Sequence, residues 1–164
     1  MTKHKFHGAP QRFQVVADFV FTTYGRKIKH IADVAGGQGM LAKILTHKYN
    51  YAAQVVDPRG WRLKGAQGFT KEFDSSFALY FDLIIGLHPD QATRAVAQSA
   101  LLKPTILIPC CNFWDRSRKL GRNALIKEIG SFYRENSVKY KLVTFNYNSP
   151  KNIGLISTPS KYEY

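Results

Sequence analysis

The chain has 164 residues, a length that suits one domain able to bury roughly 70% of the surface its unfolded form exposes. Apolar residues make up 45% and aromatic residues 13%, which excludes a disordered chain; no apolar run approaches the ~20 residues of a membrane span. A formal net charge of +13 calls for an anionic partner, nucleic acid foremost, against the plainer alternative of a basic soluble protein with no such role.

The N-terminus, with Lys3, His4, Lys5 and His7, lacks the apolar stretch of a signal peptide and reads as a small, disordered basic arm over residues 1–8. From Pro10 to Tyr24, Phe13, Val15, Val16, Phe19 and Val20 form a helical stripe that Gly25 stops. A first strand follows over Ile28–Ala35, a helix over Met40–Tyr49 and a second strand over Ala52–Asp57. Between Pro58 and Ser76 the pattern weakens around Gly60, Gly65 and Gly68, and a third strand in this stretch cannot be placed. Phe81–Leu87 is a buried-strand pattern, Gln91–Leu102 a helix with Ala92, Ala95, Val96 and Leu101 inward, and Thr105–Pro109 another buried strand. A longer helix spans Lys119–Asn136. Val138–Tyr147 and Asn152–Thr158, joined at Asn148-Ser149-Pro150-Lys151, read as an antiparallel pair closing the sheet. Alternating strands and helices make a mostly parallel sheet covered on both faces.

One stretch organises the rest. Ile31-Ala-Asp-Val-Ala-Gly-Gly-Gln-Gly39 is an apolar run that stops at glycines, with the Met40 helix immediately after. Strand, glycine turn and helix bring backbone N–H groups and a helix N-terminus up to a nucleotide-like ligand. The next strand ends on Asp57, where a carboxylate can accept hydrogen bonds from a ribose diol. Taken alone, the turn is equally an ordinary glycine-rich turn; the downstream acid and the sheet pattern favour a site. From Gly37 the residues fit G-x-G-x-x-A, a form a dinucleotide enzyme can use. From Asp33 they read D-x-x-G-G-x-G, which resembles motif I of class I S-adenosyl-L-methionine (SAM) methyltransferases. A dinucleotide fingerprint has little use for Asp33, so the reading falls to SAM. The resemblance covers nearly the whole chain, from Pro10 to Thr158. It implies a Rossmann-like α/β domain with a seven-stranded sheet, its seventh strand antiparallel, and SAM as cofactor. It also implies that Asp33 lies near the methionine moiety, with Gly36, Gly37, Gly39 and His88 beside the cofactor and Asp57 on its ribose.

The second half narrows the resemblance. Asp82-Leu-Ile-Ile-Gly-Leu-His-Pro-Asp-Gln-Ala-Thr93 and Ile108-Pro-Cys-Cys-Asn-Phe-Trp114 resemble a branch with Leu-His-x-Cys-x-x-(Ala)-Thr and Pro-Cys-Cys patterns, which includes tRNA 2′-O-methyltransferases. Pro89 and Asn112-Phe113 depart from that branch, and with them goes any transfer of its substrate.

Four strand ends converge beyond the sheet: Gly36–Gly39, Asp57, His88–Asp90 and Cys110–Trp114. His88, Asp90 and Asn112 are the candidate catalytic residues. His88 suits proton removal from a hydroxyl or ring nitrogen, with Asp90 to orient it. Equally, His88 can cap a helix or bond to backbone, and Asp90 can serve as an N-cap. Cys110 and Cys111 are adjacent, with no further cysteine, so they imply no disulfide framework and no zinc site, and they fit packing better than nucleophilic chemistry. Phe113 and Trp114 can stack on a base, roof the adenine or fill a core gap. Arg59, Arg62, Arg116, Arg118 and Arg122, with Trp114, are the candidate nucleic-acid contacts, whereas Lys27, Lys29 and Lys103 belong to the opposite rim.

The expected function is a cytoplasmic SAM-dependent methyltransferase acting on RNA, tRNA or rRNA. The alternatives are a protein or small-molecule methyltransferase, or a non-catalytic SAM-fold subunit that binds nucleic acid or supports a partner. With no evident target-recognition domain, a homodimer or a partner subunit is also expected.

Overall fold

The computed structural model describes residues 8–161; the basic arm expected over residues 1–8 lies outside it apart from Gly8. Helix α1 (Arg12–Tyr24) leads to strand β1 (His30–Val34), helix α2 (Met40–Tyr49) and strand β2 (Ala52–Val56). A two-residue strand β3 (Gly68–Phe69) precedes β4 (Leu83–Leu87), α3 (Thr93–Ser99), β5 (Thr105–Ile108) and α4 (Arg122–Glu135). The hairpin β6 (Lys139–Thr144) and β7 (Ile153–Thr158) ends the described chain. The strands form one sheet in the order β3-β2-β1-β4-β5-β7-β6. The first five are parallel, and β7 inserts antiparallel between β5 and β6. This is the α/β sheet that the sequence leads one to expect.

Alternation along the strands divides the core in two. Ile31, Leu83, Ile85, Ile106 and Ile108 face α1 and α2, while Ala32, Val34, Ile84 and Leu107 face α3 and α4. Strand order reverses between β1 and β4, which run side by side although two strands separate them in the chain. The crevice beyond that switch is where ligands of such sheets bind.

The weak stretch before β4 is held by rings instead of periodicity. Phe77 lies at the centre of a cluster with Phe69, Phe73, Tyr80 and Phe81, and Lys71 sits over its face. Two expectations change at the other elements. Helix α3 ends at Ser99, where the N–H of Lys103 bonds the Ser99 carbonyl, so Leu101 falls in a turn and is 41% exposed. Strand β6 stops at Thr144 because Phe145 and Tyr147 turn into the core beside α1. No helix among the described residues is long and apolar enough to cross a membrane.

Candidate active site

Between β1 and α2 the chain must reverse within a few residues while leaving room for a ligand. Gly39 does so at φ 80°, and a side chain there would meet Val55 at 2.5 Å, so glycine alone lets α2 start against β2. A Cβ on Gly36 would lie 2.4 Å from the Asp33 carboxylate. The turn is thus laid directly over Asp33, which is buried and accepts one bond, from the Ala42 N–H at 3.2 Å. Burial pushes the Asp33 carboxyl up to about 7; the Ala42 bond opposes this, and the nearby negative charge of Asp57 adds to it.

Asp57, at the tip of β2, is buried as well but richly bonded. One carboxylate oxygen accepts from the Arg59 N–H at 2.9 Å and Arg59 Nε at 3.0 Å; the other accepts from the Gly37 N–H at 2.9 Å and Arg59 Nη2 at 2.8 Å. Burial disfavours its charge, but the Arg59 and Gly37 bonds outweigh that and hold its pKa below the ordinary value.

Two cavities open around these residues. The smaller, of about 500 Å³, is lined by Val56, Asp57, Phe73, Ala92 and Phe113 among others. The larger, of about 620 Å³, holds Asp33, Gly36, Gly37, His88, Arg12 and Lys151. Ala35, Arg59 and Asp90 line both, so the two meet at a waist beside Asp57. Ala35, His88 and Asp90 all have left-handed backbone (φ 53°, 57° and 47°), a strain concentrated at the strand ends around this waist.

His88 donates its Nε2–H to the Lys151 carbonyl at 2.9 Å, since a carbonyl can only accept. In the neutral ring, Nδ1 is then the basic nitrogen. Burial lowers the His88 pKa; the Lys151 carbonyl bond works against this, and the Arg12 and Lys151 charges add to the depression. His88 is therefore a neutral imidazole at pH 7.

Asp90 does not cap α3. Its carboxylate accepts from the Cys110 thiol at 3.0 Å, and burial together with that carboxylate pushes the thiol up to about 12. Cys110 is a protonated donor, not a nucleophile. Cys111 is exposed, and its sulfur accepts from Lys151 Nζ at 3.4 Å.

Two expected site residues bond or pack largely within the protein. Asn112 spends its side chain on its own loop: Nδ2 donates to the Asp115 and Arg118 carbonyls at 2.6 and 2.7 Å, and Oδ1 accepts the Asp115 N–H at 3.0 Å. Both N–H groups of its amide are thus taken, and one acceptor position on Oδ1 remains. Trp114 is 7% exposed, edge-on to Phe132 and covered by the Arg94 guanidinium, so it offers no face to a base. Of the three roles open to it, filling the core is the one it takes. Its neighbour Phe113 is the ring that reaches the smaller cavity.

The basic residues divide. Arg59 lies on Asp57, and Arg62 donates to Thr70 Oγ1 at 3.0 Å. Arg118 is paired with Asp115 and Glu128, and Arg122 donates to the Pro150 carbonyl at 2.6 Å. Arg116 and Arg118 border a separate shallow hollow of about 390 Å³ with Lys119. Sequence reading missed Arg12 and Lys151 in the larger cavity. Arg12 did leave a signal: it falls four residues before Val16 and eight before Val20, on the buried stripe of α1, where a cation is out of place.

No family model and no curated protein matches the chain. Its fold, by contrast, has solved counterparts. An O-methyltransferase family protein from Burkholderia thailandensis superposes with a TM-score of 0.58 at 13% identity, over 93% of this chain and 57% of its own. DesVI from Streptomyces venezuelae gives 0.58 at 12% identity, over 90% of both chains. A mutant of MtNAS in complex with S-adenosylmethionine gives 0.55 at 11%, over 92% of this chain and 62% of that one. This chain therefore spans little more than half the length of the first of these. By its sheet order and by these superpositions, the chain has the Rossmann-like fold of class I methyltransferases.

Proposed function

We propose that the chain is a SAM-dependent methyltransferase acting on RNA. The observation that carries this is the shape and chemistry of the double cavity: an apolar, ring-bearing chamber, a carboxylate at the waist, and a glycine-floored chamber leading to a neutral histidine. Phe73, Phe113, Val56 and Ala92 suit the flat, apolar adenine. Asp57 suits the ribose diol, and the bare backbone at Gly36 and Gly37 suits the methionine chain, with Asp33 beneath it as a carboxyl whose charged form the cofactor's ammonium would favour. These residues fit the cofactor, which when bound supplies an electrophilic methyl group on a sulfonium.

The protein's task is then chiefly positioning, because an in-line methyl displacement builds little charge for side chains to stabilise. An acceptor hydroxyl or protonated nitrogen must still lose a proton, and Nδ1 of His88 is the nitrogen able to take it. The Lys151 carbonyl fixes the tautomer by holding Nε2–H. RNA as the acceptor is supported by the net charge of +13 and by Arg116 and Lys119 after β5, which no ion pair among the described residues engages.

The test is incubation with methyl-labelled SAM and total RNA, followed by nucleoside mass spectrometry. Label in one modified nucleoside is the expected result. His88→Ala should lower the single-turnover rate by about 10²–10⁴ and leave affinity for S-adenosylhomocysteine nearly unchanged. Tight binding of NAD, with no binding of SAM, would remove the proposal altogether.

A further inference from the structure

Arg12 is the cation that the cofactor pocket does not explain. It sits in the first turn of α1 and is 9% exposed. Its Nη1 donates to the Ala9 carbonyl at 2.9 Å, and its guanidinium lies 4.2 Å from the Phe13 ring centre. Its Nε–H is buried with no partner among the described residues. A buried donor without a partner is costly, and a buried guanidinium without a counter-charge more so. No ion pair among the described residues joins Arg12, or Lys151 on the same cavity wall, to a carboxylate.

The acids that line this cavity are otherwise engaged. Asp90 takes the Cys110 thiol, and Asp33 lies under the glycine turn. Arg59 also lines the cavity, but in this structure its guanidinium lies on Asp57. What remains is Arg12 and Lys151, which line the cavity with His88 and act on its ring: burial and then both cations disfavour its charged form, with Asp90 pulling the other way. Lys151 is held in place there: its carbonyl accepts from His88 and from the Tyr147 hydroxyl, and its ammonium bonds the Cys111 sulfur. Two fixed cations from two separate elements suit a group that offers oxygens in several directions, which a phosphate does and a planar carboxylate does less well.

We propose that Arg12 and Lys151 form a phosphate site in the cavity wall beside His88, and that it holds a phosphate of the methyl acceptor. The assignment to the acceptor rests on the methyltransferase proposal; the phosphate site itself does not. An occupied site also has a consequence for His88. Neutralising both cations makes the imidazole a better base, so a docked acceptor improves the group that deprotonates it.

The experiment saturates the protein with S-adenosylhomocysteine and titrates in inorganic phosphate, following the His88 ring signals by NMR. Saturable binding that raises the His88 pKa is the expected result. Lys151→Gln should weaken phosphate at least five-fold and Arg12→Gln at least ten-fold, while S-adenosylhomocysteine affinity stays within two-fold in both. Arg12→Lys, which keeps the charge, should recover most of the phosphate affinity and serves as the folding control. Should Arg12→Gln not fold, Lys151→Gln and the His88 titration decide alone. Phosphate binding that neither variant changes overturns the site. A fall in S-adenosylhomocysteine affinity with phosphate unaffected overturns it too, and gives Arg12 to the methionine carboxylate. If phosphate binds as described but no RNA is methylated, the RNA proposal fails and the site stands.

Discussion

Asp33 and Asp57 stand at the ends of neighbouring parallel strands, both almost completely buried, and their carboxyls move in opposite directions. Burial is the first cause at each. The difference lies in partners: one N–H for Asp33, against two N–H groups and a guanidinium fork for Asp57. Asp33 is roofed by the Gly36 turn, which excludes water without supplying donors, whereas Asp57 projects past β2 to where Gly37 and Arg59 can reach it. Asp33 is also the more deeply enclosed of the two, so depth and the bonds available at that depth together decide which acid is charged.

The largest effect should come from removing the charge of Asp33. Its folded-state pKa of about 7 lies above its ordinary 3.8, so the unfolded chain releases this proton first. Stability then falls as pH rises from about 4 to 7, and the penalty is fully present above that, at most about 4 kcal/mol for three pKa units. Asp33→Asn should unfold at a higher temperature than wild type at pH 8 and lose that advantage below pH 4. Equal unfolding temperatures at pH 8 would mean that Asp33 has a counter-charge and that the contrast with Asp57 is false.

Asp57 should respond in the opposite sense. Its folded pKa lies below 3.8, so its contribution to stability is present above that pH and is lost as pH falls through the folded value. Asp57→Ala strips the partner from the half-buried Gly37 N–H and removes the acceptor proposed for the ribose. S-adenosylhomocysteine binding, measured by calorimetry, should weaken by about 1.5–3 kcal/mol, the scale of charge-assisted hydrogen bonds. The stability gap between this variant and wild type should close in acid, where that of Asp33→Asn also closes but from the other side.

The same contrast separates what the sequence discloses from what it hides. Helix α2 runs over Met40–Tyr49, the span its pattern predicts, and Asp33, Gly36, Gly39 and Asp57 stand where the motif puts them, because spacing within one βαβ unit dictates that geometry. The mostly parallel sheet was legible for a similar reason, through the alternation of short elements. Asn112 and Trp114 were not. Whether a side chain after β5 faces a ligand or its own loop depends on bonds to Asp115, Arg118 and Arg94, and no periodicity carries that information. Arg12 and Lys151 meet at His88 from opposite ends of the chain, and only the folded sheet brings them together. The β3 region resisted placement because two residues of ladder and a cluster of rings stabilise it, instead of a repeating apolar face.

The smallest effect, and the finest test of the contrast, concerns Arg59. A carboxylate offers about four acceptor positions, and in Asp57 four donors are in place: two backbone N–H groups and the Nε and Nη2 of Arg59. The backbone donors are fixed by the turn and by β2, so a ribose diol can gain Asp57 only by displacing the guanidinium. That exchange is feasible because the Arg59 side chain is 68% exposed and returns to water at little cost. Arg59→Ala should therefore change stability by less than about 1 kcal/mol, as exposed ion pairs do, and should tighten S-adenosylhomocysteine binding a few-fold. Arg59→Lys should fall between, since an ammonium cannot make the forked contact. The gain should shrink as salt weakens the Arg59–Asp57 pair in the wild type. Weaker binding in Arg59→Ala would show instead that the guanidinium stays and holds the ligand, and that Asp57 is charged for Arg59 and not for the ribose.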